Sequence, residues 1–195
     1  RAVELVGAGK LGMAEGICRD YLQRFPTDVS AIRLLAEIGI KLGIYPEARK
    51  LLKRCLELTP DYHLARNNYA NVLGKIHEFE KALKEIAYLE KVEPNNLSHP
   101  VLAASLLANV GDFEQALAKY ETILDKVPDH ARLQTSYGHA LKTVGRQDDC
   151  IAAYRRAFAT DPRLGEAYWS LANLKTFQFE RDELKAMRKV VNQPD

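Results

Sequence analysis

The sequence has little of what marks an extracellular or membrane-spanning protein. Its three cysteines, Cys18, Cys55 and Cys150, are an odd number without a CxxC pair, which argues against a disulfide framework or a zinc knuckle. No apolar run approaches the roughly 18 residues that a membrane-spanning helix needs. We therefore expect a reducing, cytoplasmic-type compartment and no membrane partner. The opening residues include neither an initiator Met nor a signal-peptide core, so we interpret the chain as a fragment.

An excess of one charge is also missing. The chain has 28 basic and 26 acidic residues and a formal net charge of +2, so no overall field attracts nucleic acid or an anionic membrane. The basic run from Arg49 to Arg54 is the one local exception. On a helix its leucines take the buried side and its charges the solvated side, and no aromatic residue stands between them for base stacking. We predict no nucleic-acid partner.

Residues arranged for catalysis are absent from the sequence. The five histidines are scattered, without an HExxH motif or a His–Cys cluster, and there is no P-loop. A GxGxxG pattern at Gly7, Gly9 and Gly12 resembles a dinucleotide-binding loop, but no βαβ unit follows it. We predict no metal, no cofactor and no enzymatic activity in this chain.

What the sequence does have is a strict period. Five of its eight prolines lie 34 residues apart, at Pro26, Pro60, Pro94, Pro128 and Pro162. A small residue precedes each proline by 12 positions, and a glycine, or in one case a histidine, precedes each by 17. A fixed period of this length indicates stacked structural repeats, whose curved surfaces usually bind other molecules.

Each repeat is predicted to contain two helices. Between these repeated positions, apolar residues are spaced by three and four, as in Leu34, Leu35, Ile38 and Leu42. This spacing is typical of a helix. The glycine ends the first helix by adopting a left-handed conformation, and the proline ends the second because it lacks a backbone donor. The prediction is an all-α fold of antiparallel helix pairs.

This pattern resembles the tetratricopeptide repeat family, and the match is close where Tyr137-Gly138, Gly145, Tyr154, Ala157 and Pro162 follow one another. The resemblance implies one array over residues 1–195, a right-handed superhelical solenoid. Its repeats are predicted as a partial unit at 1–28, full units at 29–62, 63–96, 97–130 and 131–164, and a degenerate unit at 165–195.

The degenerate unit departs from the pattern. Phe179 stands at the turn position, Leu184 replaces the small residue, and Pro194 falls two residues short of the period. Residues 166–179 resemble the junction in bacterial proteins that fuse tetratricopeptide repeats to a C-terminal sulfotransferase domain. That resemblance implies a catalytic domain beyond Asp195.

One set of positions on each first helix is separate from the packing positions. The set consists of the residues that stand 27, 23, 20 and 19 positions before each repeat proline. In the last unit, whose proline is out of phase, it consists of the residues at the same points of the 34-residue period. We call this set the inner stripe. In tetratricopeptide proteins this stripe lines the concave groove. Thr176 belongs to it. The members that we predict to contact a ligand are Arg33, Glu37, Lys41, Asn67, Asn71, Lys75, Asn109, His139, Lys142, Trp169 and Asn173.

The chemistry of the inner stripe suits a polypeptide. Asparagine offers a donor and an acceptor to an extended backbone, and lysine or arginine can pair with acidic groups. Residues 65–73 resemble the asparagine-bearing repeats of a tetratricopeptide glycosyltransferase that grips peptide backbones. Trp169 is predicted either as an anchor for the ligand or as a core residue that faces the missing downstream domain.

Two functions remain open from the sequence. The first is a non-catalytic module that binds a polypeptide or partner domain and recruits it to a sulfotransferase-type domain. The alternative is an autonomous scaffold or chaperone adaptor with no attached enzyme. Exposed repeat ends are expected to allow self-association.

Overall fold

The computed structural model describes residues 1–174 and 177–191, and all of its regular elements there are helices. The stripe position Thr176 and the displaced Pro194 lie outside the described residues. The chain divides into two compact units, Arg1–Leu102 and the residues from Ala103 onward. The helices of the described residues, in chain order, are α1 Ala2–Gly7, α2 Leu11–Arg24, α3 Val29–Lys41, α4 Tyr45–Leu58, α5 His63–Lys75, α6 Phe79–Val92, α7 Ser98–Val110, α8 Phe113–Lys126, α9 Ala131–Thr143, α10 Gln147–Thr160, α11 Gly165–Ala172 and α12 Arg181–Val191.

The first unit is built from consecutive helix pairs whose apolar stripes face one another. Small residues at the 12-before position, Ala14, Ala48 and Ala82, are fully buried and allow neighbouring helices to approach closely. A core around Ile32, Leu52 and Val72 joins α3, α4 and α5. The apolar spacing in the sequence therefore predicted the helices and the side on which each one packs.

The second unit repeats this arrangement with larger side chains. Tyr154 of α10 and Leu141 of α9 are fully buried, and Tyr120 of α8 is nearly so. Gly138 of α9 lies directly against the ring of Tyr154. This helix pair packs tightly because a glycine stands where another repeat, at Ala36, has alanine.

The turns between paired helices have the predicted left-handed residue. Gly43, Gly111 and Gly145 have φ angles of 75°, 86° and 80°. In the second full repeat His77 takes the same place, with a φ of 63°. A side chain with a Cβ atom is strained there, so this turn carries a cost that the glycine turns avoid.

Replacing His77 with glycine should stabilise the first unit. We expect His77→Gly to raise the free energy of unfolding by about 1 kcal/mol, because glycine adopts the left-handed region without steric cost. The edge contact between the His77 and Phe79 rings, with centroids 5.4 Å apart, is lost and offsets part of the gain. Urea unfolding measures the change. Gly111→Ala is the mirror control and should lower stability, whereas a less stable His77→Gly would contradict the strain argument.

Candidate functional site

In the first unit, two inner-stripe residues that we predict to contact a ligand, Arg33 and Glu37, form an ion pair with each other. Arg33 Nη1 lies 3.1 Å from Glu37 Oε2, one helical turn away on α3. Arg33 Nε also donates to the Tyr62 hydroxyl at 3.0 Å, which fixes the guanidinium at the start of α5. Arg33 is therefore a tethered group, and its contact with a ligand stays a prediction.

The cations that this stripe leaves for a ligand are lysines. Lys41 and Lys75 are exposed at the ends of α3 and α5, and neither makes a hydrogen bond or ion pair to a described residue. Asn71, one turn before Lys75, is half-buried and its amide is likewise unengaged within the described part of the chain. These three side chains keep their polar groups available, and their contact with a ligand stays a prediction.

Asn67 belongs to a buried polar network that the sequence did not reveal. Its Oδ1 lies 3.3 Å from Nδ1 of His99, whose ring is 2% exposed. Nε2 of His99 lies 2.6 Å from one oxygen of Glu93, and Nδ1 of His63 lies 2.8 Å from the other. The one sequence signal was that Glu93 and His99 flank the Pro94 turn.

Glu93 is the centre of this network. Hydrogen bonds from His99, His63 and Asn96 hold the pKa of its carboxyl at about 2, below its ordinary value of 4.5. The carboxylate is therefore ionised throughout the neutral range and acts as an acceptor. It ties the turn after α6 to the first residues of α5 and α7.

In the second unit, inner-stripe residues surround an open hollow of about 340 Å³, which we call the unit-2 hollow. Its apolar lining comes from Ala108, Phe113, Tyr120 and Ala140. Its polar lining comes from Ser105, Asn109, Ser136, His139 and Thr143. Among the described residues, no lysine, arginine, aspartate or glutamate lines it, so this surface suits an uncharged segment with one apolar side chain.

The hydroxyls of the hollow are oriented by their own helix. Ser136 donates to the carbonyl of Arg132 at 3.1 Å, and Thr143 donates to that of His139 at 2.9 Å. Their oxygen lone pairs remain as acceptors for an N–H group of a ligand. Asn109 is exposed and has no hydrogen bond to a described residue, so its amide can both donate and accept.

His139 is held in one orientation by two partners. The Tyr154 hydroxyl lies 2.9 Å from Nδ1 and Glu166 Oε1 lies 3.3 Å from Nε2. Burial raises the pKa of Tyr154 to about 12, so its hydroxyl stays protonated and donates. Both ring nitrogens of His139 therefore have partners, and the residue presents its ring, not a free nitrogen, to the hollow.

The remaining predicted contacts have different surroundings. Lys142 is exposed but does not line the hollow. Asn173 donates its side-chain amide to the carbonyl of Trp169 at 2.8 Å, so it caps α11. Trp169 is 68% exposed among the described residues, and both of its predicted roles stay predictions.

The sequence patterns that we did not predict to be functional sites have ordinary structural roles. The GxGxxG segment runs from the last residue of the helix α1 into the helix α2, with no strand before it, and Gly9 forms the turn between them with a φ of 71°. Burial raises the pKa of the thiols of Cys18, Cys55 and Cys150. Across residues 1–174 and 177–191 no three His, Cys, Asp or Glu side chains are grouped to hold a metal ion.

Two members of the basic run are already paired. Arg49 lies 2.8 Å from Glu78, and Arg54 lies 3.7 Å from Glu57.

No helix in the described part of the chain is long and apolar enough to cross a membrane.

Paired helices, left-handed turns and a lined inner surface define a helical-repeat protein. A family model described as "Tetratricopeptide repeat" matches residues 101–163. Together with the fold, this match supports the resemblance of residues 101–163 to tetratricopeptide repeats.

Solved structures share the fold. The tetratricopeptide protein TTC0263 of Thermus thermophilus aligns with a TM-score of 0.74 and 21% identity over 88% of this chain and 93% of that one. YrrB, described as a tetratricopeptide protein with an unusual peptide-binding site, aligns with a TM-score of 0.67 and 17% identity over 87% of each chain. These alignments confirm the predicted all-α solenoid of helix pairs.

Curated relatives are longer proteins. The BBSome complex member BBS4 homolog of Drosophila melanogaster is 30% identical over 139 residues, which cover 71% of this chain and 29% of that protein. The chain spans less than a third of the length of the curated relatives it matches, between 16% and 29%.

Proposed function

We propose that the chain is a non-catalytic module that binds an extended polypeptide along its inner stripe. The observation that carries this proposal is the unit-2 hollow, where predicted stripe residues from α7 and α9 surround one open, uncharged space. Hydroxyl acceptors and the Asn109 amide provide partners for a peptide backbone, and the apolar lining provides a seat for one side chain. YrrB shows by its description that a protein of this fold binds peptide.

The two units favour different ligand groups. Within the described residues the unit-2 hollow has no charged lining residue, so it suits an uncharged segment. In the first unit Lys41 and Lys75 are unpaired within the described residues and belong to the same inner stripe as the asparagines, so that stripe suits backbone amides next to an acidic side chain or terminal carboxylate. Both surfaces take extended chain, and neither has the groups for chemistry on it.

Filling the unit-2 hollow should prevent binding there. We expect Ala108→Phe to weaken binding of a short uncharged peptide, acetylated and amidated, with one leucine among serines and threonines, by about tenfold or more. The physical reason is that the added ring occupies the apolar part of the hollow. Fluorescence anisotropy of the labelled peptide measures the affinity. The matched control is Ala152→Phe, the same substitution at an exposed position of α10; equal loss in both variants would exclude the hollow.

Removing the polar groups of the first stripe should abolish capture of a peptide with a glutamate and a free carboxyl terminus. The variant combines Asn67→Ala, Asn71→Ala and Lys75→Ala, and circular dichroism should show unchanged helicity. The control combines Lys50→Ala, Lys53→Ala and Lys84→Ala, which removes more positive charge from exposed positions of the second helices. Unchanged capture by the first variant would remove the inner stripe from the binding surface.

A narrower proposal concerns the protein to which this module belongs. Residues 166–179 resemble the junction of tetratricopeptide–sulfotransferase fusions, which supports a role in presenting a protein substrate to such a domain. The reading frame after Asp195 tests it: a phosphosulfate-binding loop supports the fusion, and its absence leaves the autonomous scaffold or adaptor.

A further inference from the structure

His99 lies directly behind a residue of the inner stripe. Its ring is 2% exposed, and its two nitrogens face different groups: Nε2 is 2.6 Å from Glu93 Oε2, and Nδ1 is 3.3 Å from Asn67 Oδ1. Asn67 is half-buried on α5 and makes no other hydrogen bond to a described residue. One end of its amide therefore meets the ring, and the other end is left for a ligand.

The charged surroundings of His99 are contributed by one carboxylate and a second imidazole. Glu93, which closes α6, contacts Nε2 of His99 through one oxygen and Nδ1 of His63, the first residue of α5, through the other. Asn96 donates to Glu93 at 3.1 Å. Because Glu93 remains ionised, Nε2 of His99 keeps its hydrogen and donates to it in both protonation states of the ring.

The protonation state of the His99 ring then decides which end of the Asn67 amide can form a hydrogen bond with Nδ1. A neutral ring has a lone pair on Nδ1, which can only accept, so Asn67 must turn its NH2 group toward the ring and leave its oxygen for the ligand. A charged ring has a hydrogen on Nδ1, which can only donate, so Asn67 must turn its oxygen toward the ring and leave its NH2 group for the ligand. In the structure, Asn67 Oδ1 is the atom that faces Nδ1 of His99.

We propose that His99 is a positioning residue that sets the hydrogen-bonding specificity of Asn67 in the ligand groove. With His99 charged, Asn67 offers donors, which suit the carbonyl oxygens of a peptide backbone or a carboxylate. With His99 neutral, Asn67 offers an acceptor, which suits a backbone N–H group. This inference rests on the proposed function for its consequence in binding, whereas the turn of the amide is a property of the chain alone.

Nitrogen-15 NMR of the unaltered chain tests the turn directly. The ring nitrogens of His99 and the side-chain amide of Asn67 are followed between about pH 5 and about pH 9. We expect the Asn67 amide shifts to change together with the shift of His99 Nδ1. Asn67 shifts that stay constant over the whole range would overturn the proposal.

Two variants separate positioning from structural support. His99→Gln should remove the pH dependence of the Asn67 amide. His63 contacts the same carboxylate, and His63→Gln should retain that pH dependence.

A binding experiment tests the consequence for the ligand. Asn67→Asp fixes an acceptor in the groove and should bind the peptide with a glutamate and a free carboxylate more weakly, by about tenfold. If no peptide binds but the amide turns, the proposed function fails and the positioning role stands; if peptides bind and the amide does not turn, only the positioning role fails.

Discussion

Gly138→Ala should destabilise the second unit, although it adds only one methyl group. A Cβ atom at this position would lie 2.5 Å from Cε1 of Tyr154 and 2.8 Å from Cδ1, well inside contact distance. Tyr154 is fully buried and its hydroxyl is bonded to His139, so the ring has little room to move. We expect a net loss of about 1–3 kcal/mol, after the helix preference for alanine offsets part of the clash.

The same change should also reach the proposed binding surface. A displaced Tyr154 ring withdraws its hydroxyl from His139, which lines the unit-2 hollow. Peptide affinity should therefore fall together with stability. Urea unfolding and peptide anisotropy measure the two effects separately.

Gly39→Ala is the matched control for this prediction. Gly39 also lies inside a first helix, but a Cβ atom there would be 3.5 Å from the Cβ atom of Ala48, which is ordinary contact. We expect this variant to gain roughly 0.5–1 kcal/mol, because alanine loses less backbone freedom on folding. A Gly138→Ala variant that gains stability like Gly39→Ala would contradict the close packing of α9 on α10.

Glu93→Gln should remove much of the acid sensitivity of the first unit. The folded-state pKa of Glu93 is about 2 and its ordinary value is 4.5, so the carboxylate contributes stability that is complete above pH 4.5. That contribution is lost as the pH falls from 4.5 toward 2, because the carboxyl becomes protonated in the folded state as well. The variant lacks it at every pH and should melt at a lower temperature at pH 7.

The gap between the two melting temperatures is the quantity to measure. It should be widest at neutral pH and close as the pH approaches 2, which thermal unfolding followed by circular dichroism records. Glu80→Gln, at an exposed position in the first turn of α6, is the control and should melt like the unaltered chain at each pH. A gap that persists undiminished in acid would show that Glu93 does not act through its charge.

The fold could be predicted from the sequence because its determinants are local and recur. Apolar spacing placed the helices, and the residue 17 before each proline placed the left-handed turns, including the strained one at His77. The tight contact of Gly138 followed from a small residue at a helix-packing position. None of these inferences needed a distance between residues far apart in sequence.

The candidate site could be predicted only in outline. Spacing on one helix placed Asn109 and His139 on the inner stripe, and both line the unit-2 hollow. The partners that change what a side chain can do come from other helices. Tyr62 tethers Arg33 across 29 residues, and His99 reaches Asn67 across 32. Helical periodicity carries no record of such pairs, so the tethered arginine and the buried histidine network appeared only in the structure.

The most direct test of the account is chemical-shift mapping of the chain with the uncharged leucine-containing peptide. The account predicts that amide shifts change at Ser105, Asn109 and His139, around the unit-2 hollow, and remain unchanged on the exposed side of α10 at Ala152 and Arg156. Shift changes confined to the exposed side of the second helices, or none at saturating peptide, would contradict the claim that the inner stripe receives an extended chain.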